Sequence, residues 1–242
     1  MKPLISIIIP TYQEEKIIGK TLSELKAKLT LPHEIIVTDD ASTDKTVEMA
    51  KKYADLVLAP TTKHMSIAAN RNEAASHAQA DMFVFMDADS TIADPDTFFK
   101  TALAHFEAAP NLVALTGKIG VWPELETFGD RAVYSVFNTV HHIKNNKLHS
   151  GESSGKFQMM RRSAFEKVKG FREELITRED GDMFNRLAKI GRTMYCPELV
   201  ILHQGRRAHK IGWPKLLSIW MFGTAWVAIF KKSKATEWKA IR

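Results

Sequence analysis

The sequence predicts an α/β domain in which a mostly parallel central sheet is flanked by helices, and three observations carry that prediction. Short apolar runs recur, as at Leu4 to Ile9 and Met82 to Met86, and segments of helical periodicity alternate with them. The run Met82 to Met86 is continuous rather than alternating, the pattern of a strand covered on both faces, although a short buried helix would share that periodicity. Finally, three strands end in hydroxyl-rich or carboxylate-rich turns, at Pro10-Thr11-Tyr12, Asp39-Asp40 and Asp87-Ala88-Asp89. A parallel sheet gathers such ends on one rim, where ligands bind in open α/β sheets.

The elements follow in order. Leu4 to Ile9 is rich in isoleucine and stopped by Pro10, and the helix after it carries Ile18, Leu22, Leu25 and Leu29 on one face. Glu34 to Thr38 is a second strand, after which Ser42 or Thr43 is placed to cap a helix bearing Val47, Ala50 and Ala54. Leu56 to Leu58 is a short third strand, followed by a polar loop, a helix around Ile67 to Ala78 and the Met82 to Met86 strand. Repetition of strand and helix predicts right-handed crossovers. From Asp94 a helix through Phe98, Phe99, Leu103 and Phe106 leads to a strand at Leu112 to Thr116. Beyond it the alternation is lost. Residues 125 to 145 read as helix, 150 to 155 as a flexible glycine and serine loop, Phe157 to Met160 as a strand, Ser163 to Val168 as a short helix and Leu199 to Leu202 as a last strand.

A 45% hydrophobic content supports a substantial core and argues against disorder. The single cysteine, Cys196, excludes an internal disulfide framework and reads as packing. A reducing compartment is therefore expected, and Leu4 to Ile9 is too short for the apolar region of a signal peptide, so the expected location is cytoplasmic. The net charge of +6 is unevenly spread, because the segment from His203 onward is strongly basic. Such a tail could face phosphate groups, nucleic acid or an anionic membrane, and an uncharged run inside it favours the membrane.

Asp87 and Asp89 place two hard oxygen ligands one residue apart at a strand end, which suits Mg²⁺ or Mn²⁺ carrying a diphosphate; a solvated turn is the alternative. No glycine-rich phosphate loop follows the first strand. That counts against a dinucleotide-binding Rossmann enzyme, a P-loop NTPase and the sugar nucleotidyltransferases that use such a loop.

The segments IIIPTYQEE, IIVTDDASTDKT, AANRNEA and FVFMDADS, in that order, resemble the family 2 glycosyltransferases of GT-A fold, over residues 4 to about 203. The resemblance implies a Rossmann-like sheet and an inverting hexosyltransferase that uses a nucleotide-diphosphate sugar (UDP-, GDP- or dTDP-linked) and a divalent metal, with no role for nucleic acid. It implies that Pro10, Thr11, Tyr12 and Glu14 line the nucleotide pocket, that Asp40 bonds the base while Asp39 supports the loop, and that Arg71 reaches the base or diphosphate. Asp89, and less directly Asp87, with Ala88 between them, would hold the metal and donor phosphates. The Glu179-Asp180 pair matches the family's base position, so Asp180 would take the acceptor proton, kept ionised by the dipole of the helix it opens. Without the resemblance an acidic N-cap is the simpler reading. Gly155, Phe157 and Glu179 fall in the acceptor segment. Arg206 and Arg207 would lie in a mobile loop over the diphosphate, and His203 is a candidate third metal ligand or a structural histidine. Lys156, Arg161 and Arg162 read as surface charges.

By the same resemblance, residues 1–211 form the glycosyltransferase domain, with 1–117 binding nucleotide and 118–211 binding an acceptor, a glycan or lipid-linked precursor. The Gln-x-x-Arg-Trp motif of processive synthases is replaced by Gln204-Gly205-Arg206-Arg207-Ala208. A non-catalytic nucleotide-binding scaffold of the same fold and a nucleotidyltransferase are the competing readings. Residues 212–242 form a basic and apolar helical tail. Leu216 to Phe230 carries no charge and is followed by Lys231, Lys232 and Lys234. As a helix this run spans about 22 Å, short of a hydrocarbon core of about 30 Å. An interfacial helix on the cytoplasmic face of a membrane, a helix closing the domain and a dimer contact are all compatible with it.

Overall fold

A computed structural model describes residues 2–60, 66–230 and 233. Seven strands form one sheet in the order β3-β2-β1-β4-β6-β5-β7. These are β1 (Ile5–Thr11), β2 (His33–Asp39), β3 (Leu56–Leu58), β4 (Met82–Phe85), β5 (Leu112–Val121), β6 (Gln158–Arg161) and β7 (Arg192–His203). The pairs β1 with β2, β1 with β4, β2 with β3 and β5 with β7 are parallel. Strand β6 is inserted antiparallel between β4 and β5. The sheet is mostly parallel, as expected, and the place where the alternation broke down in the sequence is where the reversed strand enters.

The continuous apolarity of β1 follows from cover on both faces. Ile5, Ile7 and Ile9 pack with Ile18, Leu22 and Leu25 of α1 (Ile18–Lys28) on one side. On the other, Ile8 joins a cluster with Ala68, Ala74 and Ala75 of α3 (Ile67–His77) and with Phe83, Phe85 and Phe165. Between these, α2 is only Thr46–Ala50 and has no side-chain cap, so neither Ser42 nor Thr43 caps it and Ala54 lies beyond its end. Ser42 instead donates to Asp39. Helix α4 (Pro95–Ala108) starts as its sequence reads, with Asp94 accepting from the Thr97 N–H and proline in the first turn.

Strands β5 and β7 are much longer than their apolar runs. Their register skips from Gly117↔Cys196 to Lys118↔Val200, so Pro197, Glu198 and Leu199 bulge out. A bulge tolerates the proline that interrupts the pattern, which is why the sequence hid the first half of β7. Helix α5 (Phe128–His142) opens on a Thr127/Asp130 capping box and passes into a π-helical turn at Ile143–Lys147. It is followed by α6 (Arg162–Lys167), α7 (Glu179–Leu187), α8 (Arg206–Ile211) and α9 (Trp213–Phe230).

The expected mobile loop at 206–207 is thus a helical turn. Buried Asp130 anchors it by accepting from His209 Nε2 at 2.7 Å and from Trp213 Nε1 at 3.0 Å. Helix α9 packs on α5 through Trp213 against Tyr134 and Trp220 against Phe137. Its Met221, Phe222, Ile229 and Phe230 are exposed. No helix among the described residues is long and apolar enough to cross a membrane, and Lys231, Lys232 and Lys234 lie outside the described residues.

Candidate active site

The carboxyl ends of β1, β2 and β4 meet on one rim, as parallel pairing requires. Pro10 and Thr11 close β1, and the Asp40 N–H donates to the Thr11 carbonyl at 2.9 Å. Asp39 is buried and accepts from Thr11 Oγ1 (3.0 Å), the Ser42 N–H (2.7 Å) and Ser42 Oγ (2.6 Å). Its carboxylate therefore organises the loop, while Asp40 is more open. Tyr12 is half-buried beside them. The Glu14 carboxylate is spanned by the Arg206 guanidinium at 2.9 and 3.0 Å, a bidentate pair joining the β1 loop to α8. Arg207 is the next residue of that helix.

At the end of β4, Asp87 and Asp89 straddle the Lys156 ammonium, at 3.0 Å from Asp87 Oδ2 and 2.8 Å from Asp89 Oδ1. Lys156 is thus no surface charge. Burial would push the Asp89 carboxyl up, but Lys156 and Arg206 outweigh it and hold it well below the usual range. Ala88 turns inward: its side chain joins the core and its carbonyl accepts from Thr21, so it spaces the two aspartates rather than touching the rim. Arg161 and Arg162 are not free surface charges either. Arg161 bonds the Leu112 and Phe106 carbonyls, and Arg162 bonds the Ala78 carbonyl.

The second carboxylate cluster belongs to α7. Arg71, on the rim side of α3, is only 1% exposed, which excludes an ordinary exposed helix arginine. It donates to Asp180 Oδ1 at 2.7 Å and lies 3.5 Å from Glu179 and 3.4 Å from Asp87, so it links both acidic clusters. Gln158, fully buried on β6, also donates to Asp180 Oδ1 at 2.8 Å. Oδ2 thereby stays clear of both bonds. It faces Gly155, where a Cβ would sit 2.6 Å from Arg71 Nη2, 3.1 Å from Asp180 Oδ2 and 3.2 Å from Asp87 Oδ1. Only glycine lets the chain pass this close to all three charged groups.

Burial pushes the Asp180 carboxyl up, and Arg71 offsets this only in part. Desolvation thus works against the ionised form that the first-turn position was expected to favour, while Arg71 and Gln158 bond that form. Glu179 is likewise pushed up, by burial and by Asp180 beside it. Phe157 corrects another expectation, for its ring packs on Phe98 at 4.9 Å in the core and does not face an acceptor.

The 150–155 loop is held rather than loose. Buried Glu152 accepts two bonds from Arg178 at 3.1 Å and one from Lys144. A Cβ at Gly181 would lie 2.5 Å from Glu152 Oε1, so the glycine after Asp180 lets this ion pair approach α7. Gln158 could have been found in the sequence as a polar residue within an apolar strand. Lys156 and Glu152 carried no such signal.

His203 ends β7 and is buried. Its Nδ1 accepts from the Gly205 N–H at 3.0 Å, while Nε2 is buried without a hydrogen-bond partner. Burial, with Lys156 nearby, lowers its pKa to about 3, leaving a neutral ring that carries its proton on Nε2, since Nδ1 accepts. Asp87 and Asp89 offer hard oxygens that fit Mg²⁺ or Mn²⁺, and His203 would add a nitrogen through Nε2 only in its other tautomer, giving up the Gly205 bond. They do not converge as closely as His105, Cys196 and Glu198, whose ligand atoms lie within 4.8 Å of one another. Burial pushes the Cys196 thiol up to about 12, in keeping with a packing role.

Residues 6–169 match the family model described as glycosyl transferase family 2. The chain belongs to glycosyl transferase family 2. This glycosyltransferase chain is 26% identical over 211 residues to the O-antigen chain rhamnosyltransferase RfbN of Salmonella typhimurium, covering 82% of this chain and 66% of that protein. Its fold is shared by the mannosyltransferase PcManGT of Pyrobaculum calidifontis in complex with GDP-Man and Mn²⁺, at TM-score 0.74 and 20% identity, over 97% of this chain and 66% of that one. It is shared as well by S. aureus TarS 1–349 in complex with UDP-GlcNAc, at TM-score 0.66 and 24% identity, over 84% and 58% respectively. The family-2 chain thus spans about two thirds or less of each of these relatives. In its fold, the GT-A sheet expected from the sequence is present.

Proposed function

We propose that this chain transfers a sugar from a nucleotide-diphosphate donor to an acceptor hydroxyl by a single inverting displacement. The observation that carries the reading is the meeting of the two acidic clusters at Gly155, where Asp180 Oδ2 and Asp87 Oδ1 close on one point of the chain with Arg71 between them. A displacement with inversion needs a proton acceptor behind the sugar and charge stabilisation for the leaving group in front of it. Asp180 takes the hydroxyl proton at Oδ2. Arg71 and Gln158 fix the carboxylate through Oδ1, and its raised proton affinity makes it a better base than an exposed aspartate.

On the donor side, Pro10, Thr11, Tyr12 and Asp40 receive the nucleoside, with Asp39 shaping their loop. Arg206 and Arg207 supply positive charge to the diphosphate. Asp89 and Asp87, joined by His203 if its ring proton moves from Nε2 to Nδ1, would hold a divalent ion, Mg²⁺ or Mn²⁺, which when bound neutralises charge on the departing nucleoside diphosphate. The names of the similar proteins support UDP- or GDP-linked donors and a polysaccharide-precursor acceptor, with dTDP-linked donors a third candidate. Residues 1–117 then serve mainly the donor and 118–211 the acceptor. The exposed Met221, Phe222, Ile229 and Phe230 of α9 support a peripheral membrane contact, fitting a lipid-linked acceptor.

Turnover of UDP-, GDP- and dTDP-sugars should be measured with Mn²⁺, with Mg²⁺ and with chelator. Metal-dependent consumption of one donor is expected, and no binding or turnover of any donor would sink the reading. For the membrane contact, co-sedimentation with anionic vesicles should weaken in a Met221→Ser/Phe222→Ser double variant. Equal sedimentation of both proteins would remove it.

A further inference from the structure

Each carboxylate oxygen of the Asp87 and Asp89 pair faces a cation of the protein. Asp87 Oδ1 lies 3.4 Å from Arg71, and Asp87 Oδ2 lies 3.0 Å from Lys156. Asp89 Oδ1 lies 2.8 Å from Lys156, and Asp89 Oδ2 lies 3.4 Å from Arg206. Of the three cations, Lys156 is the one that bridges the pair, and its side chain is 22% exposed. The loop that carries it does not depend on the ammonium: the Lys156 carbonyl accepts from Ser90 Oγ at 2.9 Å, a bond that survives any change of side chain. Arg71 and Arg206 are committed elsewhere, to Asp180 and Glu14 respectively. A flexible four-carbon stem with a compact charge is the group best able to move.

A small divalent ion needs bare carboxylate oxygens at roughly 2.0–2.2 Å, the same oxygens that the ammonium now occupies. Two cations cannot share them, and a positive charge about 3 Å from both ligands also opposes the approach of another. On the reading of Asp87 and Asp89 as metal ligands, we propose that Lys156 is a resident counter-cation that competes with the divalent ion for these two aspartates. It holds the acidic pair together without metal and must swing off them for the ion to bind. The anionic diphosphate of an arriving donor offers the displaced ammonium a new partner. Metal and nucleotide therefore bind cooperatively, each strengthening the other by the same factor.

Mn²⁺ binding to the full chain should be followed by the EPR signal of the free ion, alone and with saturating GDP or UDP. Lys156→Met and Lys156→Gln should bind Mn²⁺ about tenfold or more tightly than wild type in the absence of nucleotide, the order expected for removing a like charge from a ligand pair. Lys156→Arg, which keeps the charge, should stay near wild type. The two neutral variants should also show a larger rise in melting temperature with Mn²⁺, a readout that confirms folding in the same experiment. Unchanged or weaker Mn²⁺ binding in both neutral variants overturns the proposal. Tighter binding in those variants with no nucleotide effect in wild type supports the competition and counts against the donor reading. A nucleotide effect in wild type without tightening in the variants does the reverse. No Mn²⁺ binding in any of these proteins overturns both.

Discussion

The four parallel strands β1 to β4 and the mixed strands β5 to β7 build their sides of the site in different ways. On the parallel side each functional group sits at or just past a strand end: Thr11 at the end of β1, Asp39 and Asp40 at the end of β2, Asp87 and Asp89 just past β4. Strand direction alone brings them together. On the mixed side the groups come from a loop at 150–157, an antiparallel strand, and a helix whose N-cap, Arg178, holds a left-handed conformation at φ 70°. Ion pairs rather than strand order position them, above all Glu152 with Arg178 and Arg71 with Asp180. The parallel side, the proposed donor side, is thus specified locally. The mixed side, the proposed acceptor side, depends on contacts between residues far apart in the chain, so single substitutions there should have more varied consequences.

The largest expected effect tests the division itself. Asp180→Asn should lower kcat by about a thousandfold while leaving nucleotide affinity unchanged, since it removes only the proton acceptor. Asp89→Ala should instead abolish metal-dependent donor binding, measured by calorimetry. Equal loss of donor binding in the two variants would show that the two sides are not separate.

Next comes Arg71→Met, which strands Asp180 and Glu179 without their buried partner. Urea unfolding should show a loss of about 3–5 kcal/mol, the range for breaking a buried pair on one side. A loss below about 1 kcal/mol would mean that the link between the two sides is structurally unimportant. Gly155→Ala is expected to be milder for stability, because the Arg71 guanidinium can shift, but to cut kcat/KM for the acceptor by roughly tenfold to a hundredfold, because the methyl displaces Arg71 and with it the Asp180 carboxylate. Unchanged acceptor kinetics would remove Gly155 from the site.

The smallest effect is in the pH profile. Because the Asp180 carboxyl is raised by burial, kcat should fall with decreasing pH along a limb whose midpoint lies above the ordinary aspartate value of 3.8. Gln158 bonds the ionised form, so Gln158→Leu should move that limb higher still, by roughly half a unit to one unit. A limb that stayed put would show that Gln158 does not tune the base. The same logic sets the sign for Glu179. Its raised pKa means that the folded state gives up stability as pH rises from the ordinary glutamate range through the folded value, and Glu179→Gln should narrow the gap in melting temperature between pH 5 and pH 9.

Much of the fold was legible in the sequence, because a parallel strand buried on both faces must be continuously apolar and a crossover helix must carry a stripe. β1, β2, β4 and the helices between them follow from that. Phe157 shows the limit: its place beside the glycine loop was plain, but the face its ring takes depends on how β6 enters the sheet, and the ring turned to the core. Ala88 misled for the same reason. The ordered 150–155 loop and the helical 206–211 turn were misread because each is held by a distant residue, Arg178 and Asp130 respectively, and the start of α2 because Ser42 turns back to Asp39 instead of capping.

By itself the sequence determined the fold class and the rim where Thr11, Asp39, Asp40, Asp87 and Asp89 gather at strand ends, since these follow from local periodicity and ordered motifs. Only the tertiary structure decided what each charge does. Arg71 could have been a surface residue, and Lys156 was read as one; folding brought the first under Asp180 and the second between Asp87 and Asp89. Charge pairing acts over a few ångströms in space with no regard to distance along the chain, whereas hydrophobic periodicity is written in consecutive residues.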